Sequence, residues 1–194
     1  MRAFFDGPVE GIAAVPAEGN APEVWLLGSS GYSAQLAGLL GLPFAFAHHF
    51  SSESTLPALD LYRRSFRPGV LPEPHSMICA SVLVAESYEE ARRLSLPGAL
   101  SFVRLRQGKP GVLPSPEEAE AHDWTPTERS FAEQRLDSAI LGSPAEVRVQ
   151  LGDLLEQTQV QELMVVTSAH ALEDRLRSYE LLMSLVMSEV AGGR

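Results

Sequence analysis

Cysteine is almost absent: Cys79 is the only one in 194 residues, which excludes an intramolecular disulfide and a cysteine metal box. Its setting in "MICASVLV" is that of a buried, unreactive strand position. Basic residues are scarce as well. Fifteen Lys and Arg against 25 Asp and Glu leave a formal charge of -10, and the few cations do not cluster, so neither nucleic acid nor an anionic membrane is expected as a partner. No apolar run approaches the roughly 20 residues of a membrane span. The start "MRAFFDGPVEG" has no signal-peptide apolar region, so the cytoplasm is the default location. Metal-ligand spacing is missing too: no His, Asp or Glu pattern resembles a zinc or iron set, and no metal is expected. There is no G-x-S-x-G elbow to support a Ser-His-Asp triad.

What is present is apolar material, 45% of the chain, enough for one sizeable core or part of a larger one. It is distributed as strands alternating with helices. Continuous apolar runs at 23–28 (EVWLLG), 42–47 (LPFAFA), 76–85 (SMICASVLVA) and 162–167 (ELMVVT) read as buried parallel strands. Between them lie a helix near 33–40 and a Ser/Glu-capped helix with Leu59, Tyr62 and Phe66 at helical spacing. A third helix begins at "SYEEARRLSLPG" and is expected to be interrupted at its Pro-Gly. A shorter helix falls near 126–136, a capped one follows "GSPAEV", and a final amphipathic helix begins after "SAHALEDR". The order β-α-β-α-β-α-β-α means a parallel sheet with helical crossovers, as a barrel or a doubly wound sheet. Residues 1–22 form an irregular lead-in. Residues 106–125, rich in proline and polar groups, read as a long loop, in which Trp124 either closes over a pocket or pins the loop to the surface.

Polar residues gather directly after the strands, at the C-terminal ends where parallel α/β folds place their ligands. Gly28, Ser29 and Ser30 follow the first, His48 and His49 the second, Glu86 and Ser87 the third, and Thr167, Ser168 and His170 the fourth. A Gly-Ser-Ser turn opening a helix can offer N–H groups and hydroxyls to a phosphate; it can equally be a tight turn capped by Ser30 or Ser33. His48 and His49, adjacent on a strand end, would point to opposite faces and could not readily share a metal. Glu173, Asp174, Arg175, Arg177 and Glu180 in the last helix read as a solvated face of local ion pairs.

Four segments together carry a resemblance: "VWLLGSSGYSAQLAGLLGLPFAFAHHF", "ILGSPAEVRVQLGDLL", "ELMVVTS" and "DRLRSYELL". In this order they resemble the C-terminal half of the bacterial-luciferase-like family of flavin-dependent monooxygenases, from about Glu23 onward. The resemblance implies an α/β fold, a (β/α)8 TIM barrel that binds reduced flavin mononucleotide (FMN), or less often the deazaflavin F420. In such a barrel the four apolar runs would be the fifth to eighth strands. It implies cofactor-binding roles for Gly28, Ser29 and Ser30 at the flavin phosphate and for His49 facing the cofactor. It also implies a mobile loop over the active site at 106–125.

A full barrel takes about 250 residues, and the resemblance begins at strand five. The chain is therefore expected to be a single half-barrel domain without the N-terminal half. It would lack the family's main flavin-phosphate arginine and its pocket histidine, so that catalytic residues stay unassigned. Weak flavin binding and no independent turnover follow. Two open sheet edges and a bare concave face predict self-association, such as a C2 dimer placing "VWLLG" of one subunit beside "ELMVVT" of another, or pairing with a separately encoded N-terminal half. Three functions stay open: an oxidoreductase completed by a partner, a flavin or small-molecule binder without chemistry, and an inactive structural fragment.

Overall fold

The protein is described from a computed structural model covering residues 3–192, with side chains as far as Met187. After a single helical turn, α1 (Ala3–Asp6), come β1 (Leu26–Gly28), α2 (Gly31–Leu40) and β2 (Phe44–Phe46). Two 3-10 turns (His48–Phe50 and Ser52–Ser54) lead into α3 (Thr55–Ser65) and the nine-residue β3 (Ser76–Val84). Then follow α4 (Tyr88–Arg106), α5 (Pro116–Glu120), α6 (Pro126–Asp137), β4 (Ile140–Gly142), α7 (Pro144–Thr158), β5 (Glu162–Val166) and α8 (Leu172–Gly192).

Every strand pairing is parallel, giving an α/β sheet. β3 is its spine. Met77 and Ile78 pair both with β2 and with β5, so those strands flank β3 on opposite sides, and β1 pairs with β2 beyond. The last three residues of β3, Val82–Val84, pair instead with β4.

Strand alternation sends successive side chains to opposite faces. One face carries Leu26, Phe44, Phe46, Ile78 and Leu163, packed against Ala34 and Ala37 of α2 and Leu59 and Tyr62 of α3. Ala80, Val82 and Val165 continue it beneath Val147 and Leu151 of α7 and Leu182 and Leu185 of α8. Small residues let α2 approach closely: a Cβ on Gly38 would stand 2.7 Å from the Tyr62 carbonyl oxygen. The opposite face carries Leu27, Ala45, Met77, Cys79 and Met164 in register. Leu27 is 68% exposed and Met164 51%.

Side chains tie the crossovers to the sheet. The Tyr62 hydroxyl donates to the Leu42 carbonyl (2.9 Å) and accepts from the His75 N–H (3.1 Å). Arg63, in the last turn of α3, donates to the carbonyls of Thr158 (2.5 Å) and Gln159 (2.9 Å), closing the C-terminus of α7 with a cation where the helix dipole favours one. The Ser178 hydroxyl accepts from the Val84 N–H at 2.9 Å, and the Thr167 hydroxyl donates to the Val82 carbonyl at 2.7 Å.

Three expectations need correction. There are five strands among the described residues, not four: β4 is only three residues long and sits directly before a capping box, which hides it behind the stronger helix signal. α4 is not interrupted at Pro97 and Gly98; it runs unbroken for 19 residues, with Pro97 buried inside it. The segment 106–125 is not irregular throughout. Pro116 occupies the first turn of α5, and Ser115 and Glu118 form a reciprocal capping box, so short prolines and serines here start a helix rather than prevent one.

Candidate functional site

The C-terminal ends of β1 and β2 lie side by side, since the Ala47 N–H donates to the Gly28 carbonyl at 2.9 Å. Gly28 is required there: a Cβ would stand 2.2 Å from the Ser33 hydroxyl oxygen, so only glycine lets the first turn of α2 fold back onto the strand end. Ser29 and Ser30 are exposed. Ser30 occupies the N-cap of α2 in extended conformation, yet its side chain makes no capping bond, and the expected Ser30 cap is not formed. The hydroxyls of Ser87, Thr125 and Ser143 do cap their helices, accepting from Glu90, Glu128 and Glu146 respectively. The first-turn N–H groups of α2 have no intrahelical acceptor, and no acidic residue lies in that turn to answer the dipole.

His48 and His49 are not on a strand end; they lie in the 3-10 turn after β2, because Ala47 leaves the extended region, and the opposite-face expectation lapses with it. His48 Nδ1 bonds the Thr55 hydroxyl at 2.8 Å, and burial, reinforced by the neighbouring His49, lowers its pKa. His49 Nδ1 bonds the Cys79 carbonyl at 2.9 Å. A carbonyl only accepts, so Nδ1 carries the proton and Nε2 of the neutral ring is the acceptor. Cys79 is buried and burial raises its thiol pKa, the condition of an unreactive thiol.

Of the other rim residues, Glu86, Ser87, Thr167 and His170 make structural bonds, while Ser168 borders a small cavity with Ser81, Ser95 and Arg135. Glu86 pairs with Arg177 at 3.1 Å, Ser87 caps α4, and His170 Nδ1 bonds the Leu113 carbonyl at 3.0 Å. Arg177 thus reaches across to Glu86 as well as to its own-helix neighbour Glu180. Trp124 is pinned rather than free: it packs against the cluster of Leu94, Ala132 and Leu136, and its Nε1 donates to the Ala119 carbonyl at 3.0 Å.

One constellation had no signal in the linear sequence. Arg106 at the end of α4 and Arg135 in α6 converge with Phe102, Phe131 and Phe50 on a cavity of about 200 Å³ that His49 also lines. These positions are separated by up to 86 residues, and the packing of α4 on α6 together with the Arg135 bond to the His49 carbonyl joins them. Among the described residues no group of His, Cys, Asp and Glu could hold a metal ion, and no helix is long and apolar enough to cross a membrane.

A parallel sheet with helical crossovers, a Gly-Ser-Ser turn and a histidine turn at one rim defines a protein of the α/β class. The family model described as luciferase-like monooxygenase matches residues 2–162, and the chain belongs to that family. It is 40% identical over 192 residues to a luciferase-like monooxygenase of Escherichia coli strain K12, covering 97% of this chain and 57% of that one. The crystal structure of apo-MsnO8 superposes with a TM-score of 0.80 at 36% identity, covering 96% of this chain and 57% of that one. The oxygenating constituent of 3,6-diketocamphane monooxygenase from Pseudomonas putida, solved in complex with FMN, shares the fold at a TM-score of 0.55 and 20% identity, over 86% of this chain and 49% of that one. The chain spans about half the length of the curated relatives it matches.

Proposed function

We propose that the chain supplies strands five to eight of a luciferase-like (β/α)8 barrel, as β1, β2, β3 and β5, and holds the phosphate of reduced FMN at Ser29 and Ser30. In this reading it works in a flavin-dependent oxidoreductase or monooxygenase once further strands cover its bare sheet face. The observation that carries it is the N-terminus of α2: an N-cap serine that makes no capping bond, exposed beside a second serine, over unpaired first-turn N–H groups. Those groups fit a phosphate. No Lys or Arg lies in the turn or in α2, so the balancing cation has to come from the covering strands, and binding by this chain alone is weak. F420 is the less favoured cofactor, a ranking that rests on the family weighting alone. His49 lies at the same rim, with Nε2 as its acceptor nitrogen. A bound reduced flavin would supply the two electrons that activate dioxygen.

Support for the covering partner comes from the sheet itself. β1 and β5 each have a paired neighbour on one side only, and the face between them presents Leu27 and Met164 to water. Burial of such apolar surface is worth roughly 25 cal/mol per Å². A second copy forming a C2 pair is the partner in this reading, and a separate N-terminal half its competitor. The missing cation favours one further reading, a flavin binder without chemistry.

The test titrates FMN, oxidised and reduced, and riboflavin into the pure protein, with light scattering at micromolar concentration. FMN should bind more tightly than riboflavin, Ser29→Ala with Ser30→Ala should erase that difference, and the scattering mass should exceed that of one chain. No saturable FMN binding below about 1 mM, some 4 kcal/mol of affinity, removes the flavin from the account. A monomer removes the self-association.

A further inference from the structure

Arg64, Arg92, Arg93 and Arg177 are ion-paired with carboxylates. Arg106 and Arg135 have no carboxylate partner among the described residues, and they stand against three phenylalanines. The Arg106 guanidinium lies 5.0 Å from the ring centre of Phe131 and 5.9 Å from that of Phe102. That of Arg135 lies 4.7 Å from Phe102 and 5.6 Å from Phe50. Stacking occupies the face of a guanidinium and leaves its N–H edge for an acceptor in the plane. Arg135 gives one such N–H to the His49 carbonyl. Burial lowers its pKa, the mark of a cation stripped of water without an anion to replace it.

The cavity these groups enclose, about 200 Å³, is smaller than the roughly 300–1,000 Å³ of sites for drug-sized ligands. Ser52, Gln134 and Ser138 border it, and so does the exposed Glu53, whose carboxylate accepts from the Ser51 hydroxyl at 3.4 Å. Two stacked arginine forks suit one planar carboxylate, and three phenyl rings suit an apolar body. A small inorganic anion would leave the rings without a partner.

We propose that the cleft between α4, α6 and the His48–Phe50 turn binds a small carboxylic acid with an aromatic or compact apolar body, its carboxylate held by Arg106 and Arg135. The acid's body packs on Phe50, Phe102 and Phe131. His49 lines the cleft and belongs to the same rim as the Gly28–Ser30 turn. This makes the acid the molecule to be oxygenated. That role rests on the flavin reading; the binding does not.

Calorimetry on the full chain separates the two, using phenylacetate, phenylacetamide and inorganic phosphate as probes and FMN in a separate titration. Phenylacetate should bind saturably and at least tenfold more tightly than the amide or phosphate. Arg106→Gln, at an exposed position, should lower that affinity at least tenfold while the thermal melt stays in place. Equal binding of acid and amide, no binding of the acid, tighter binding of phosphate, or an unchanged Arg106→Gln protein each overturn the proposal. Phenylacetate binding without any FMN response leaves the acid site standing and removes its role as substrate.

Discussion

The two faces of the sheet are built from alternate residues of the same strands, yet one is sealed while the other is open at β1 and β5 and closed only around Cys79 and Leu83 of β3. Phe44, Phe46 and Ile78 on the helix side have no exposed surface, whereas Leu27 on the other side is 68% exposed and Met164 51%. Apolar character is therefore not what distinguishes the faces. What differs is whether a crossover helix lies over them, and both faces carry side chains suited to burial. The bare face is the feature that the partner proposal explains.

Substitutions on the two faces should differ most. Phe46→Ala removes a fully buried ring and should cost about 3–5 kcal/mol in a urea unfolding experiment. Met164→Ala should stay within about 0.5 kcal/mol of the parent chain at concentrations where it is monomeric. Equal losses would break the contrast. The same Met164, changed to Asp, should lower the scattering mass toward one chain if copies meet through this face.

The next effect falls at the strand end. Gly28→Ala brings a methyl group against Ser33 and should destabilise by about 1–3 kcal/mol. Ser33→Gly added to it should recover part of that loss, because the Cβ and hydroxyl of Ser33 are the atoms in the way. A smaller contrast lies between two helix starts. Ser143→Ala breaks a reciprocal capping box on α7 and should cost about 1 kcal/mol, while Ser30→Ala, which removes no capping bond, should cost a few tenths and lower FMN affinity instead. The smallest effect is a pH dependence. The Thr125 backbone N–H, helped by the Gln107 amide, holds the Glu128 carboxyl at about 2, below its usual 4.5. Its contribution is fully present above about pH 4.5 and fades as the pH falls toward 2, so Glu128→Gln should flatten the melting-temperature profile across that window.

The parallel α/β order was legible because its signals are local: apolar runs set the strands, and Ser-x-x-Glu patterns set several helix starts. Length limited the reading. β4 is three residues, too short to register beside the cap at Ser143, and β1 begins only at Leu26 although the apolar run starts earlier. Pro97 misled because its cost to a helix is an average, and here its ring is buried inside a helix packed along its length against α5 and α6. At the site, the Gly28–Ser30 turn was readable as a strand-to-helix junction, but whether Ser30 would cap depends on side-chain geometry that spacing does not encode. The histidines were misplaced by a single residue's backbone: Ala47 turns the chain before His48. The arginine cleft was out of reach, since nothing in the neighbourhood of Arg106 announces Arg135 or Phe50.

The pairing of β4 with the end of β3 bears on how such a protein can change. The chain leaves the sheet at Val84 and returns to pair Gly142 with that same residue, and the Ala85 N–H donates to the Gly142 carbonyl at 3.0 Å. Everything in residues 85–139 is thus a detour that leaves and rejoins the sheet on neighbouring strands, and the entropy of closing it grows only slowly with its length. Arg106, Arg135, Phe102 and Phe131 belong to the detour, while His49 and Phe50 belong to the rim it folds over. Changing the exposed Arg106 or the length of the turns within the detour would alter the cleft while Leu94, Ala99 and Leu136 keep their packing on Leu83. In that sense the proposed acid cleft is carried on a separate excursion of the chain, and the Gly28–Ser30 turn on the frame of the sheet.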